Sequence, residues 1–252
     1  WREGGSWLML VGAGFRGKGG TALLYESKNL ADWTYLNPIL TGAIDPNAKG
    51  GDVARGEMWE CPDFFPVGNK WLFYVSTENK VRYWLGDWKN RTFTPSSDGT
   101  LVHGAAYAPK SSNASGGRRI IWSWLREQRP GPDQLKAGWS GSMSLAVVPS
   151  LAKDGTLLLD PAAEYTQLRG PRQSAAPPPD CCEIHVALSG REPFGITRGP
   201  MEVIGYDPGT RTLSAGRSEA KVPGQGTVDL RIFLDGSVVE AFANRRVWLT
   251  GR

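Results

Sequence analysis

Apolar and β-prone residues come in short runs separated by glycine-rich turns, the pattern of strands rather than long helices. Ser6-Trp7-Leu8-Met9-Leu10-Val11 ends at Gly12, residues 17–20 make a turn, and Thr21-Ala22-Leu23-Leu24-Tyr25 opens a partner strand. Asp32-Trp33-Thr34-Tyr35-Leu36 follows, then a polar, glycine-rich loop over 41–56. The rhythm returns in Lys70-Trp71-Leu72-Phe73-Tyr74-Val75, Val81-Arg82-Tyr83-Trp84-Leu85 and Arg91-Thr92-Phe93-Thr94-Pro95. A weaker third round runs through 118–125, 143–148 and 155–159. Strand groups recurring about every 50 to 65 residues predict propeller blades, with a sandwich as the structural alternative.

Residues 170–180 read as a linker, because Pro171 and then Pro177-Pro178-Pro179 resist helix and sheet alike. The expected division is therefore 1–169, linker 170–180, and a second domain over 181–252. Strands resume at 183–188, and residues 201–206 and 211–213 flank an Asp207-Pro208-Gly209 turn. The clearest hairpin joins 228–234 to 237–242 through Asp235-Gly236, a pair that favours a type I′ turn. Alternation places Leu230, Ile232 and Leu234 on one face.

Composition narrows the class. The 252 residues include 32 Gly and 18 Pro, so turns are frequent, and 11 Trp, which serve both β cores and stacking on sugar rings. A net charge of +4 with no long basic run makes nucleic acid a poor partner. No apolar run approaches the ~18 residues of a membrane span, so no membrane partner is expected. Cys61, Cys181 and Cys182, with His103 and His185, form no metal-ligand spacing. Both histidines read as ordinary surface or sheet residues. The chain starts at Trp1 and not at Met, and reads as a fragment from which a signal peptide could be missing. Asn90-Arg91-Thr92 and Asn113-Ala114-Ser115 fit the glycosylation pattern, so the reading leans to an extracytoplasmic or secreted protein. Nothing in the sequence sets an oligomeric state.

The densest chemistry lies in Met58-Trp59-Glu60-Cys61-Pro62-Asp63-Phe64-Phe65-Pro66. A carboxylate set among aromatic and apolar residues is expected to be poorly solvated and kept protonated, as a general acid near neutral pH requires. The stretch Trp59–Phe65 resembles the acid/base motif of glycoside hydrolase family 32, the invertases, inulinases, levanases and fructan exohydrolases. The hairpin Leu230–Asn244 resembles that family's C-terminal signature. The resemblance implies an all-β protein: a five-bladed β-propeller, incomplete here, followed by a shortened β-sandwich. It also implies retaining hydrolysis of β-fructofuranosides, with sucrose or a fructan as substrate, Glu60 as proton donor, and no cofactor or metal.

Retaining glycosidases use two carboxylates ~5–5.5 Å apart. The family's nucleophile is the Asp of an Asn-Asp-Pro-Asn-Gly motif, and a third acid lies in an Arg-Asp-Pro motif; neither string occurs in the chain. Asp45-Pro46-Asn47 reads as a turn. The fragment itself is therefore expected to be inactive, with its nucleophile upstream. By the same resemblance Trp59 is a candidate apolar wall beside the sugar, Cys61 a neighbour that tunes Glu60, and Asp63 a backbone anchor. Tyr107 and Lys110 are candidate leaving-sugar contacts, and Trp124 a stacking platform. Glu240 is read as structural or exposed and not as an acid catalyst. Two rival readings are a non-catalytic fructan-binding protein, and a fructosyltransferase or related five-bladed glycosidase.

Overall fold

The computed structural model describes residues 1–42, 58–172, 179–198 and 200–251. The chain forms two compact units, one of residues 1–101 with 108–110, the other of 102–107 with 111–252. Apart from one seven-residue helix and short 3-10 turns, the regular structure described is β.

The first unit opens with an antiparallel sheet in the order β1 (Arg2–Glu3), β2 (Ser6–Phe15), β3 (Gly19–Ser27), β4 (Thr34–Thr41). β4 starts later than the aromatic run suggests, because Asn29 Oδ1 accepts from Ala31 N and Asp32 N (both 2.9 Å) and holds a turn there. Pro38 sits within β4, which is the edge of this sheet among the described residues, the place where a missing N–H is tolerated. A meander follows of β5 (Glu60–Val67), β6 (Lys70–Thr77), β7 (Lys80–Lys89) and β8 (Thr92–Gly104).

The core of this unit is aromatic. Phe64 stacks on Trp71 at 4.6 Å and meets Trp1, Trp88 and Phe93 edge-on at 5.1–5.5 Å. The indole N–H groups of Trp88 and Trp1 end on Glu3 Oε2 (2.8 and 3.3 Å), so these rings are partly buried with their polar atoms still bonded. Burying each such ring is worth about 1.5–3 kcal/mol.

The second unit begins at Val102, in the last residues of β8, takes in β9 (Ala106–Asn113) except residues 108–110, which belong to the first unit, and continues with β10 (Arg119–Leu125). The helix α1 (Gly131–Ala137), β11 (Ser142–Met143), β12 (Val147–Leu151) and β13 (Leu157–Pro161) follow. The single strand expected over 143–148 is split. Ser144 Oγ accepts from Ser123 N (2.9 Å) and Leu145 N donates to a side chain, which takes residues 144–146 out of the ladder.

β14 (Cys181–Leu188) leads to a four-stranded sheet of β15 (Phe194–Arg198), β16 (Met201–Asp207), β17 (Thr212–Ala215) and β18 (Ser218–Lys221). The hairpin β19 (Val228–Asp235) and β20 (Val238–Ala243) then runs into β21 (Val247–Gly251). The order β14-β19-β20-β21 is antiparallel, and β21 pairs parallel with the end of β8 at His103 and Gly104. Leu230, Ile232 and Leu234 are all buried on one face of β19. The turn sits one residue later than the Asp235-Gly236 pair suggests. Asp235 still pairs with Val238, so Gly236 and Ser237 are the loop. Gly236 has φ +55 while Ser237 stays out of the left-handed region, which excludes type I′ and fits a type II′ start with glycine first.

Candidate functional site

The chain enters β5 already fixed. Trp59 N donates to Ala13 O (3.1 Å), and Thr77 Oγ1 donates to Met58 O (2.8 Å). Trp59, which the sequence suggested as a wall beside a sugar ring, is fully buried. Its indole packs on Trp84 (5.0 Å) and Phe73 (5.9 Å). Two glycines make its slot. A Cβ on Gly20 would lie 2.0 Å from the indole Cδ1, and one on Gly12 would lie 2.3 Å from Trp59 O. The indole Nε1 has no hydrogen-bond partner among the described residues.

The next residues break the ladder. Glu60 pairs with Ser76 and Asp63 with Tyr74, so β5 carries one residue more than β6 between these pairs. The extra residue is a β-bulge at Cys61-Pro62. Cys61 has φ +49, left-handed for a side-chain-bearing residue, although a following proline favours extended backbone. Such a residue holds about 1–3 kcal/mol of strain. The bulge sorts the motif by face. Trp59 and Phe64 share the face that builds the aromatic core, and Glu60 and Asp63 share the other.

Glu60 is exposed. The aromatic residues beside it in sequence do not enclose it, because the bulge turns Trp59 and Phe64 to the opposite face. Asp63 accepts from its own neighbour Phe64 N and from Tyr74 Oη, both at 2.9 Å, which ties β5 to β6. Lys110 reaches the bulge from β9, its Nζ donating to Pro62 O (2.7 Å). Ala108, itself left-handed at φ +48, donates its N–H to Ser76 Oγ (3.0 Å). Ser76 thus links the Glu60 rung to β9, a role no local sequence pattern announced.

Trp59, Glu60, Cys61 and Lys110 therefore gather in the first unit. Tyr107 and Trp124 belong to the second. There the Arg126 guanidinium lies 5.0 Å over the Tyr107 ring, and Ser123 Oγ donates to Tyr107 O (2.9 Å). Trp124 pairs with Met143 across β10 and β11 and is 44% exposed. Glu240, also in this unit, is buried, not exposed. It accepts from Leu145 N (2.6 Å) and Trp248 Nε1 (2.9 Å), and burial pushes its pKa up to about 7. Asp45-Pro46-Asn47 lies outside the described residues. No group of three or more His, Cys, Asp or Glu is arranged to hold a metal ion among the described residues. None of their helices is long and apolar enough to cross a membrane.

Glu60 thus stands exposed at a strained strand end, with the Lys110 ammonium group on the adjoining backbone. The chain belongs to glycosyl hydrolases family 32: the family's N-terminal domain matches residues 1–161 and its C-terminal domain residues 164–252. Among curated relatives it is 29% identical to a sucrose-6-phosphate hydrolase of Escherichia coli over 97% of this chain and 57% of that one. It is 31% identical to a raffinose invertase of Escherichia coli over 97% and 58%. It thus spans less than two thirds of these relatives' length. Among solved structures, the sucrose-6-phosphate hydrolase of Lactobacillus gasseri superposes with a TM-score of 0.77 at 22% identity, covering 100% of this chain and 59% of that one.

Proposed function

We propose that Glu60 is the acid/base of a retaining β-fructofuranosidase of the five-bladed propeller type, acting on sucrose or a fructan. In the first step a carboxylate attacks the anomeric carbon while Glu60 gives its proton to the departing glycosidic oxygen. In the second step Glu60 takes a proton from water, which attacks the fructosyl-enzyme and restores the free carboxylate. The observation that supports this most is the bulge at Cys61-Pro62, which leaves Glu60 exposed at the end of β5 on the face opposite the aromatic core, while Trp59 anchors the backbone beside it. Lys110, pinned to Pro62 O, is proposed to contact the leaving sugar, as is Tyr107, and Trp124 is proposed as a stacking platform. Cys61 is proposed to tune Glu60 from the adjacent residue.

The attacking carboxylate of the family motif is not among these 252 residues, so the chain alone should release no fructose from sucrose or 1-kestose. In a chain extended by the Asn-Asp-Pro-Asn-Gly and Arg-Asp-Pro motifs, Glu60→Gln should lower sucrose hydrolysis about 10²–10⁴-fold. An activated fructoside should still form the fructosyl-enzyme, and azide should trap it with retained configuration. Equal losses on both substrates without azide rescue would reduce Glu60 to a structural residue. A non-catalytic fructan-binding protein is the second reading, which absence of both motifs from the sequence upstream of Trp1 would favour. Fructan binding by the extended chain, without turnover, would establish it.

A further inference from the structure

β6 carries three hydroxyls beside the bulge of β5, and one of them behaves differently from the others. Tyr74 Oη donates to Asp63 Oδ2 (2.9 Å) and Thr77 Oγ1 to Met58 O (2.8 Å), so these two tie β6 to β5 and its entry. Ser76 stands directly opposite Glu60 and is fully buried. Its Oγ turns instead to β9 and accepts from Ala108 N (3.0 Å). β9 then returns to the bulge, because Lys110 Nζ donates to Pro62 O (2.7 Å). A closed ring of ties results. It runs from Glu60 to Ser76 across the ladder, on to Ala108, along β9 to Lys110, over to Pro62, and back through Cys61 to Glu60. All of these residues belong to the first unit.

Two left-handed residues, Cys61 (φ +49) and Ala108 (φ +48), sit inside that ring. Neither is a residue that favours such a backbone, so each conformation persists only where its surroundings over-determine it. Packing alone does not call for a serine between two paired strands. Alanine would fill nearly the same space without a polar atom to bury. What the hydroxyl adds is an acceptor for the Ala108 N–H, and with it the placement of residues 108–110. Its removal leaves that N–H unpaired, releases β9 from the Glu60 rung, and slackens the hold of Lys110 on the bulge.

We propose that Ser76 is the positioning residue for Glu60: it holds β9 against the bulge and touches no substrate. This rests on the acid/base reading, and the experiment separates the two. In the chain extended by the two family motifs, Ser76→Ala should lower sucrose hydrolysis about 10–100-fold, the cost of misplacing a reacting group by an ångström or so. Formation of the fructosyl-enzyme from an activated fructoside, whose leaving group departs unprotonated, should change less than about twofold. Ser76→Thr keeps the hydroxyl and should recover most of the loss. Ser76→Cys, a weaker acceptor of similar shape, should show the pattern of Ser76→Ala in smaller measure. Ser27→Ala is the matched control. Ser27 is also buried, and its Oγ accepts from Leu30 N (2.8 Å), but it holds only its own turn, so sucrose hydrolysis should be unaltered. In the 252-residue chain, NMR of isotope-labelled glutamate carboxyls should show the Glu60 resonance moved by Ser76→Ala and not by Ser27→Ala. Equal losses on both substrates in Ser76→Ala, where Glu60→Gln spares the activated one, overturn the proposal. Unaltered sucrose hydrolysis in folded Ser76→Ala, or an unmoved Glu60 resonance, does the same. Should Glu60→Gln lose both substrates equally, the acid/base reading fails, and a Glu60 resonance moved by Ser76→Ala still supports the tie between the two residues.

Discussion

At the scale of single residues, the site depends on two side chains that are not there. Gly12 and Gly20 lie far from the motif in sequence, yet each leaves the space that Trp59 fills. Gly20→Ala should therefore destabilise the protein by about 1–3 kcal/mol, the usual cost of overpacking. Urea denaturation followed by tryptophan emission measures it. Gly170→Ala, where a Cβ meets nothing within 4 Å, is the matched control and should change little. An equal effect of both would show that Trp59 moves aside at no cost. This dependence was not legible in the sequence. The motif announces an unusual tryptophan, but whether an indole faces solvent or core depends on what the neighbouring strands leave open. The left-handed Cys61 was equally hidden, since such positions favour glycine or asparagine and a following proline points to extended backbone. Asp63 was legible as a backbone anchor because a short acidic side chain readily bonds its own next N–H.

At the scale of elements, alternation was readable where one face of a strand is covered and failed where both are. β19 alternates, and Leu230, Ile232 and Leu234 could be placed from sequence. β20 is buried from Val239 to Ala243, so the period of two disappears and Glu240 gives no sign of its direction. Its burial has a consequence for pH. The folded-state pKa of about 7 lies above the ordinary carboxylate value of 4.5, so the folded protein holds this proton more tightly than the unfolded chain. Stability from Glu240 is complete below about pH 4.5 and is lost as pH rises through about 7, by up to ~3 kcal/mol. The Arg-paired carboxylates work in the opposite direction. Glu183, whose pKa is lowered chiefly by its hydrogen bond from Arg169, contributes stability that is lost as pH falls below the ordinary carboxylate value. The two windows are therefore separate. Urea midpoints between pH 4.5 and 8 should decline in the parent and stay flat in Glu240→Gln. A decline of equal slope in the variant would assign it to other groups.

At the scale of the whole chain, the recurrence of strand groups made a mostly-β protein legible, and the structure agrees. The compact units exchange short pieces near residues 101–111, where no composition change marks a boundary, so that exchange was not legible. Most of the packed aromatic rings lie in the first unit and the pH-sensitive Glu240 in the second, so the two can be followed separately. Unfolding should not be two-state: near-ultraviolet dichroism and the pH-dependent transition should have different midpoints, and Glu240→Gln should move only the second. Coincident midpoints that shift together would show one cooperative block.

The bulge at Cys61-Pro62 also bears on how such a chain can change by mutation. Replacing Cys61 or Pro62 keeps the count of residues between Trp59 and Phe64, and the two rings stay on the core side whatever the new side chain is. Removing one codon there takes away the extra residue itself. β5 and β6 would then carry equal counts between the Glu60 and Asp63 rungs, and plain alternation would still leave Trp59 and Phe64 on the core side. What a deletion would cost is the bend that the bulge puts into the strand, so the segment should keep its core packing under loss of one residue while the backbone beside Glu60 straightens.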